Sequence, residues 1–507
     1  MTFDCRTTPQ VQPAAGFGHP VWVLETLAKP KPVLEGRLSR SVSPHARAHP
    51  GQSGIVELRD GRDAFAARVL LADTAERTLD LQYYIWRNDV SGALLFAAVC
   101  RAADRGVRVR LLLDDNNTAG LDAFLGALAS HPNIQVRLFN AFRLRRWRPL
   151  EYLTDFARLN RRMHNKSFTV DGQVAIVGGR NVGDEYFDAN QALSFVDLDV
   201  MAVGPVVSDI ASDFERYWNS ESARPVESVL GRARRASVLE VIAEAEKILG
   251  QPAAVEYANA LQSCAFVHDL LCGSVEYRWA AARLVSDDPA KGLGRQRPRG
   301  TLLERLLDTL SVPQRELELI SPYLVPTRAG ERALSELSRD GVKVSILTNS
   351  LEATDVPIVH AGYAKRRRKL LESGVVLYEL MRTSRVRSRR DRRLTGSSGS
   401  SLHAKTFSVD CGRVFVGSFN LDPRSASLNT EMGLVIESPV LAASIATAFA
   451  GEIPARAYRV SLNAAGRMLW VEQCEDGERV HTTEPGTTWW KRLGVALMAL
   501  LPIEWLL

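Results

Sequence analysis

His164-Asn165-Lys166-Ser167-Phe168-Thr169-Val170-Asp171 returns later in the chain as His403-Ala404-Lys405-Thr406-Phe407-Ser408-Val409-Asp410. Each copy is followed at the same interval by a glycine-led turn ending in asparagine, Gly178-Gly179-Arg180-Asn181 and Gly417-Ser418-Phe419-Asn420. Both read H-x-K-x4-D-x6-G-[GS]-x-N. One short match of this kind is a weak signal, but two copies with matching extensions are a strong one. Apolar and polar residues alternate after each lysine, which predicts a strand. Residues two apart on a strand share a face, so His164 and Lys166 point together, as do His403 and Lys405. Asp171-Gly172 is a hairpin turn signal, with Val174-Ala175-Ile176-Val177 as the returning strand. Asp171 and Asp410 therefore fall at turns, away from the histidines, and read as structural residues.

Two imidazoles and two lysines on converging strands are the parts that phosphodiester chemistry needs. One imidazole attacks phosphorus, the other protonates the leaving alcohol, and the cations hold the phosphoryl oxygens. Pairing outward from the turn puts Gly179 roughly opposite His164, with Asn181 just beyond, so that small residues leave room for a phosphate.

These motifs resemble the phospholipase D superfamily, named for paired H-x-K-D motifs. Longer segments resemble the bacterial cardiolipin synthases of the C type, among them LDLQYYIWRNDVSG, DFARLNRRMHNKSFTVDG, RLVSDDPAKG, ILTNSLEATDV, LNTEMGLVIES and the tail LPIEWLL. The resemblance runs from about residue 50 to the end. It implies a duplicated α/β fold, two phospholipase D-like units forming a bilobed structure around one shared active site. It further implies a covalent phosphatidyl-histidine intermediate, with His164 attacking and His403 as acid and base. Lys166, Lys405, Asn181, Asn420 and Ser418 would hold the phosphoryl oxygens. An acidic residue after each motif would orient a histidine: Asp199, in Asp197-Leu198-Asp199, and Glu431, in Asn429-Thr430-Glu431. The first copy departs from the family's Asn-x-Glu. No metal and no cofactor are expected, because two lysines balance the phosphate charge.

The implied reaction makes cardiolipin from phosphatidylglycerol and a second phospholipid, phosphatidylglycerol or phosphatidylethanolamine. The implied place is peripheral, on the cytoplasmic face of the bacterial inner membrane, with no nucleic acid as partner. Rival readings are a phospholipase D or nuclease using water as acceptor, and a silent binding module for anionic surfaces. Intact His, Lys and Asn in both copies argue against the last.

At 507 residues the chain exceeds one typical core, and 46% hydrophobic with 24% charged residues is ordinary for a globular protein. A net charge of +6 is a mild bias toward anionic surfaces. Six scattered cysteines with no C-x2-C pair argue against a zinc site or a disulfide framework. There is no signal peptide pattern and no apolar run long enough to span a bilayer.

The pattern predicts a disordered extension over 1–50, a first unit over 51–235, a helical connector packing across both units over 236–275, a second unit over 276–450 and a C-terminal segment over 451–507. Strand, helix and strand are predicted at 79–85, 92–105 and 107–113, and again at 316–320, 328–339 and 342–347. A Gly-Val-basic-Val start (Gly106, Gly341) marks the duplication. Such a site is complete within one chain.

Several features carry two readings each. Basic runs at 365–369 and 385–393, and Arg143-Leu144-Arg145-Arg146-Trp147-Arg148, are either anionic-surface contacts or solvated faces. Asp114-Asp115-Asn116-Asn117 is a ligand site at a strand end or a solvated turn. Residues 395–400 are a loop, and His268 and His360 are core or supporting residues. The tail from Trp489 to Leu507 is an in-plane membrane segment or a docked helix.

Overall fold

The computed structural model describes residues 37–189, 193–230, 238–262, 266, 269, 274–295, 300–382, 399–501 and 504–506. The basic run 385–393, His268 and the extension before residue 37 lie outside the described residues.

The first half contributes nine strands: β1 (Ser53–Leu58), β2 (Thr78–Tyr83), β3 (Arg108–Asp114), β4 (Ile134–Phe139), β5 (Ser167–Val170), β6 (Val174–Gly178), β7 (Leu193–Val196), β8 (Asp199–Val203) and β9 (Ala223–Pro225). The second half repeats them with β10 (Arg278–Ser286), β11 (Glu316–Ile320), β12 (Lys343–Asn349), β13 (Val376–Leu380), β14 (Gly399–Leu402), β15 (Thr406–Val409), β16 (Arg413–Gly417), β17 (Met432–Glu437) and β18 (Ala457–Leu462). It then adds β19 (Met468–Cys474) and β20 (Gly477–His481). Hydrogen bonding runs β9-β4-β3-β2-β5-β6-β8-β1 in the first half and β18-β13-β12-β11-β15-β16-β17-β10 in the second. The parallel trios β2-β3-β4 and β11-β12-β13 sit at corresponding places. The motif strand lies antiparallel beside the first strand of each trio.

β1 pairs with β10, so the two halves form one continuous sheet. Between them Ile55, Val177, Val200 and Ile210 of the first half pack with Val414, Val416, Leu434 and Ile436 of the second. Each such side chain contributes about 1.5–3 kcal/mol when fully buried, which makes this joint a core rather than a hinge. Asp171 and Asp410 sit at the hairpin turns with φ of 53° and 52°. The Asp171 carboxylate accepts the backbone N–H groups of Glu76, Arg77 and Thr78, and that of Asp410 accepts those of Gln314, Arg315 and Glu316. These aspartates tie each hairpin to the start of the strand beside it.

Four expectations about organisation change. Arg37–Ala48 forms a helix where disorder was expected, because Val42 buries into the first core and His49 stacks on Trp279 at 4.2 Å. Helices Val238–Leu249 and Pro252–Gln262 of the connector pack on the first half. Leu249, Ala254 and Tyr257 join its core, and the Tyr257 hydroxyl donates to the Phe187 carbonyl at 2.7 Å. Residues 399 and 400 begin β14, parallel to β7, rather than a loop. β18 completes the second sheet as β9 completes the first, so that unit extends past residue 450.

Most described basic residues of the runs are tied down internally. Arg367 pairs with Glu379 and Glu484, and Arg366 with Glu504. Arg145 donates to Asp115 and Asp122. Asp114 accepts the N–H groups of Asn116 and Met163, so the strand-end aspartates brace neighbouring loops. His360 lies 3.0 Å from Glu484 and supports the same ion-pair group as Arg367. In the tail, helix Trp489–Leu500 docks through Val495 onto Leu351 and Ala361, leaving Trp489, Trp490, Leu497 and Leu500 exposed. Among the described residues, no helix is long and apolar enough to cross a membrane.

Candidate active site

The two motifs meet at the joint between the halves, and each is held by the other half. The His164 N–H donates to the Thr430 carbonyl at 2.8 Å, and the His403 and Ala404 N–H groups donate to the Val196 carbonyl at 2.8 and 3.0 Å. The carboxylates cross in the same way. Glu431 of the second half lies 2.8 Å from His164 Nδ1, and Asp197 of the first half lies 2.6 Å from His403 Nδ1. A carboxylate only accepts, so Nδ1 carries the proton in each ring and Nε2 keeps its lone pair.

The carboxylate facing His403 is that of Asp197, not Asp199. Strand register explains the two-residue difference. Gly178 pairs with Asp199 and Gly417 with Gly433, which makes Asp197 the counterpart of Glu431. Asp199 instead pairs with buried Arg68 at 2.7 Å and accepts the Arg180 N–H. A signal for this was present in the sequence. Pro205 and Pro439 open equivalent helices, and counting back eight residues from them reaches Asp197 and Glu431.

Ser418 also takes a different place. Its hydroxyl donates to Glu431 at 2.5 Å and is buried there, while the Ser425 hydroxyl donates to the other Glu431 oxygen at 2.8 Å. The Glu431 N–H donates to Asp287, which Lys291 holds at 2.8 Å. In the first half a Cβ on Gly179 would lie 2.2 Å from Asp197 Oδ1, so glycine makes room for the carboxylate rather than for a phosphate. Asn181 accepts the Ile85 N–H and donates to the Tyr186 hydroxyl at 3.1 Å, whereas buried Asn420 leaves Oδ1 without a partner. Arg180 braces Asp197 by donating to its carbonyl at 2.8 Å. Tyr84 packs edge-on against His164, and Tyr186 and Phe195 pack on His403. None of Asp197, Ser425, Asp287, Lys291 or these aromatic rings belongs to the repeated pattern, and Arg180 falls at its variable position.

Lys166 donates to the His164 carbonyl at 2.6 Å, and Lys405 donates to that of His403. Burial holds the His164 imidazole down to about 4 and the His403 imidazole to about 3, with the lysines adding to the effect. Burial also lowers both lysines, Lys405 to about 8 and Lys166 well below its ordinary value. Burial alone would raise the carboxyls, but the facing histidines and lysines prevail and hold Asp197 and Glu431 ionised below their usual range. Near neutral pH, both Nε2 atoms are thus unprotonated while Lys405 keeps its charge. This arrangement can attack an electrophilic phosphorus and balance its charge. Among the described residues, no group of three or more His, Cys, Asp or Glu is placed to hold a metal ion.

The fold and the site define a two-motif enzyme of the phospholipase D type. The family described as cardiolipin synthase, PLD-like domain, matches residues 70–218 and 306–453. Cardiolipin synthase C of Escherichia coli (strain K12) is 52% identical over 474 residues, covering 93% of this chain and 100% of that protein. A cardiolipin synthase of Staphylococcus aureus (strain Mu50) is 24% identical, covering 82% of this chain and 70% of that one. The crystal structure of phosphatidylserine synthase from Haemophilus influenzae Rd KW20 shares the fold. Its TM-score is 0.54 at 15% identity, over 83% of this chain and 91% of that one. The chain belongs to the cardiolipin synthase family with phospholipase D-like domains.

Proposed function

We propose that this enzyme transfers a phosphatidyl group between phospholipids to make cardiolipin. The observation that carries the reading is the pair of Nε2 atoms, each in a ring fixed by a carboxylate from the opposite half. His164 Nε2 attacks the phosphorus of phosphatidylglycerol, the P–O bond to glycerol breaks, and His403 gives the leaving oxygen its proton. In the second step the acceptor alcohol of another phospholipid passes its proton to His403. Its oxygen then attacks phosphorus, and the P–N bond to His164 breaks. The bound phosphodiester brings negative charge between the lysines, which opposes burial and favours the protonated form of His403. Lys166, Lys405 and Asn420 stabilise the phosphoryl oxygens, most strongly when charge moves in the transition state. The acceptor is phosphatidylglycerol, whose glycerol headgroup carries the free alcohol; phosphatidylethanolamine can take the place of the phosphatidyl donor, with ethanolamine as the leaving alcohol. The enzyme works peripherally at the cytoplasmic face of the bacterial membrane.

Purified protein incubated with phosphatidylglycerol vesicles, with and without phosphatidylethanolamine, should yield cardiolipin as the main product by mass spectrometry. Phosphatidic acid dominating in every mixture would mean that water is the acceptor. Turnover should persist in EDTA, because lysines supply the positive charge.

A further inference from the structure

The duplication places two apolar surfaces at equivalent points beside the site. Counting from Gly106 and Gly341, Asn116 of the loop after β3 corresponds to Leu351 of the loop after β12. Each of these residues anchors a separate segment. The Leu351 carbonyl accepts from Lys491 Nζ at 2.6 Å, and Leu351 packs with Val495, which seats the C-terminal helix. Asn116 accepts from the Tyr152 hydroxyl at 2.8 Å and from Arg148 through its carbonyl at 3.3 Å, which seats residues 144–156. Just beyond the two segments, Arg424 donates to Asn160 at 2.6 Å and to the Leu506 carbonyl at 3.1 Å.

Residues 144–156 present Leu144, Trp147, Leu150, Leu153 and Phe156 to solvent, with Leu153 82% and Trp147 62% exposed. Their side chains recur every third residue, while Glu151 between them is buried and accepts from Leu144 N–H and Arg158. The segment is therefore held rigidly with its apolar row outward. Arg143 and Arg146 stand exposed beside that row. Asn117 donates to the Tyr84 carbonyl at 3.4 Å, and the Tyr84 ring packs on His164. The apolar row thus hangs on the loop that borders the nucleophile.

We infer that residues 144–156 form a second bilayer contact, paired across the duplication with the C-terminal helix, and that the two together seat the active-site mouth on an anionic phospholipid surface. Exposed tryptophan and leucine beside arginine suit the boundary between acyl chains and anionic headgroups. The inference rests on the lipid substrate proposed above.

The test compares wild type with Leu150→Ser/Leu153→Ser, the C-terminal helix intact, on phosphatidylcholine vesicles with and without phosphatidylglycerol. Removing two exposed leucines should weaken partitioning onto the mixed vesicles by about tenfold or more. Turnover of short-chain phosphatidylglycerol in monomeric solution should stay unchanged. Brominated lipids should quench wild-type fluorescence more than that of Trp147→Phe. Partitioning that stays unchanged would overturn the proposal. So would an equal loss of turnover in monomeric solution, which would make the segment a structural support. A wild type that self-associates through this row and becomes monomeric in the variant, with vesicle binding intact, would assign it to a second copy of the chain instead. Failure to make cardiolipin would leave the partitioning result readable, so the two proposals fail separately.

Discussion

The two halves place the same histidine and lysine with different supports. In the first half a short carboxylate, Asp197, reaches His403 because Gly179 lets the strands approach, and Arg180 holds its backbone. In the second half the longer Glu431 reaches His164 past a serine in the corresponding place, and two hydroxyls saturate its oxygens. Beyond Asp197 stands an ion pair, Asp199 with Arg68, where the second half has Gly433 against the Phe415 ring. Duplication preserved the reacting atoms while the surrounding polar and apolar interactions diverged. Function therefore constrains each ring's orientation more tightly than the means of achieving it.

The largest effects should come from the histidines, and they test whether the halves share the chemistry unequally. His164→Ala and His403→Ala should each lower kcat by on the order of 10³-fold or more, since the two imidazoles act as a unit. Only His403→Ala should accumulate a phosphatidyl-enzyme visible by intact mass spectrometry. If His164→Ala accumulates it instead, the roles are exchanged.

Next come the carboxylates. Asp197→Asn and Glu431→Gln should each cut kcat by about 10²-fold or more, because an amide no longer fixes the productive tautomer. Gly179→Ala should approach the Asp197→Asn loss, since its Cβ would displace that carboxylate. Asp199→Asn should lower the melting temperature more than it lowers kcat. Equal kcat losses at 197 and 199 would contradict the crossed arrangement.

A smaller effect is expected in the pH profile. Lys405 is held at about 8, so it is cationic below that pH and loses its charge above it. kcat/KM should fall as pH rises through about 8, and Lys405→Arg should move that limb upward. A basic limb that does not move in Lys405→Arg would assign it to another group.

The smallest effect on turnover should come from the turns. Asp171→Ala removes an acceptor from three backbone N–H groups, costing about 1–3 kcal/mol of stability by denaturant titration. kcat in the folded enzyme should change little. A large kcat loss with unchanged stability would place Asp171 in the chemistry.

The duplicated α/β order was legible because strand alternation and the repeated Gly-Val-basic-Val start are local. The histidines, lysines and turn aspartates were legible for the same reason. The crossing of Asp197 and Glu431 was not, since it depends on which strands pair across residues far apart in the chain. The Asp-x-Asp spelling suggests Asp199, whereas the intervals to Pro205 and Pro439 point to Asp197. Ser418 reads as a phosphoryl-oxygen donor because its glutamate partner, Glu431, is thirteen residues away in the chain and comes beside it only through strand pairing. The connector's periodicity was visible, but the face it buries depends on Tyr257 meeting Phe187.

The exchange of carboxylates between halves has a consequence for biosynthesis. While only the first half has emerged from the ribosome, His164 has no glutamate to set its proton and Asp197 has no ring to hold. Such a nascent chain carries His164 without the carboxylate that fixes its ring, and lacks His403 altogether. The crossed pairs therefore form only once β17 brings Glu431 to the joint, so the site is assembled by both halves together and by neither alone.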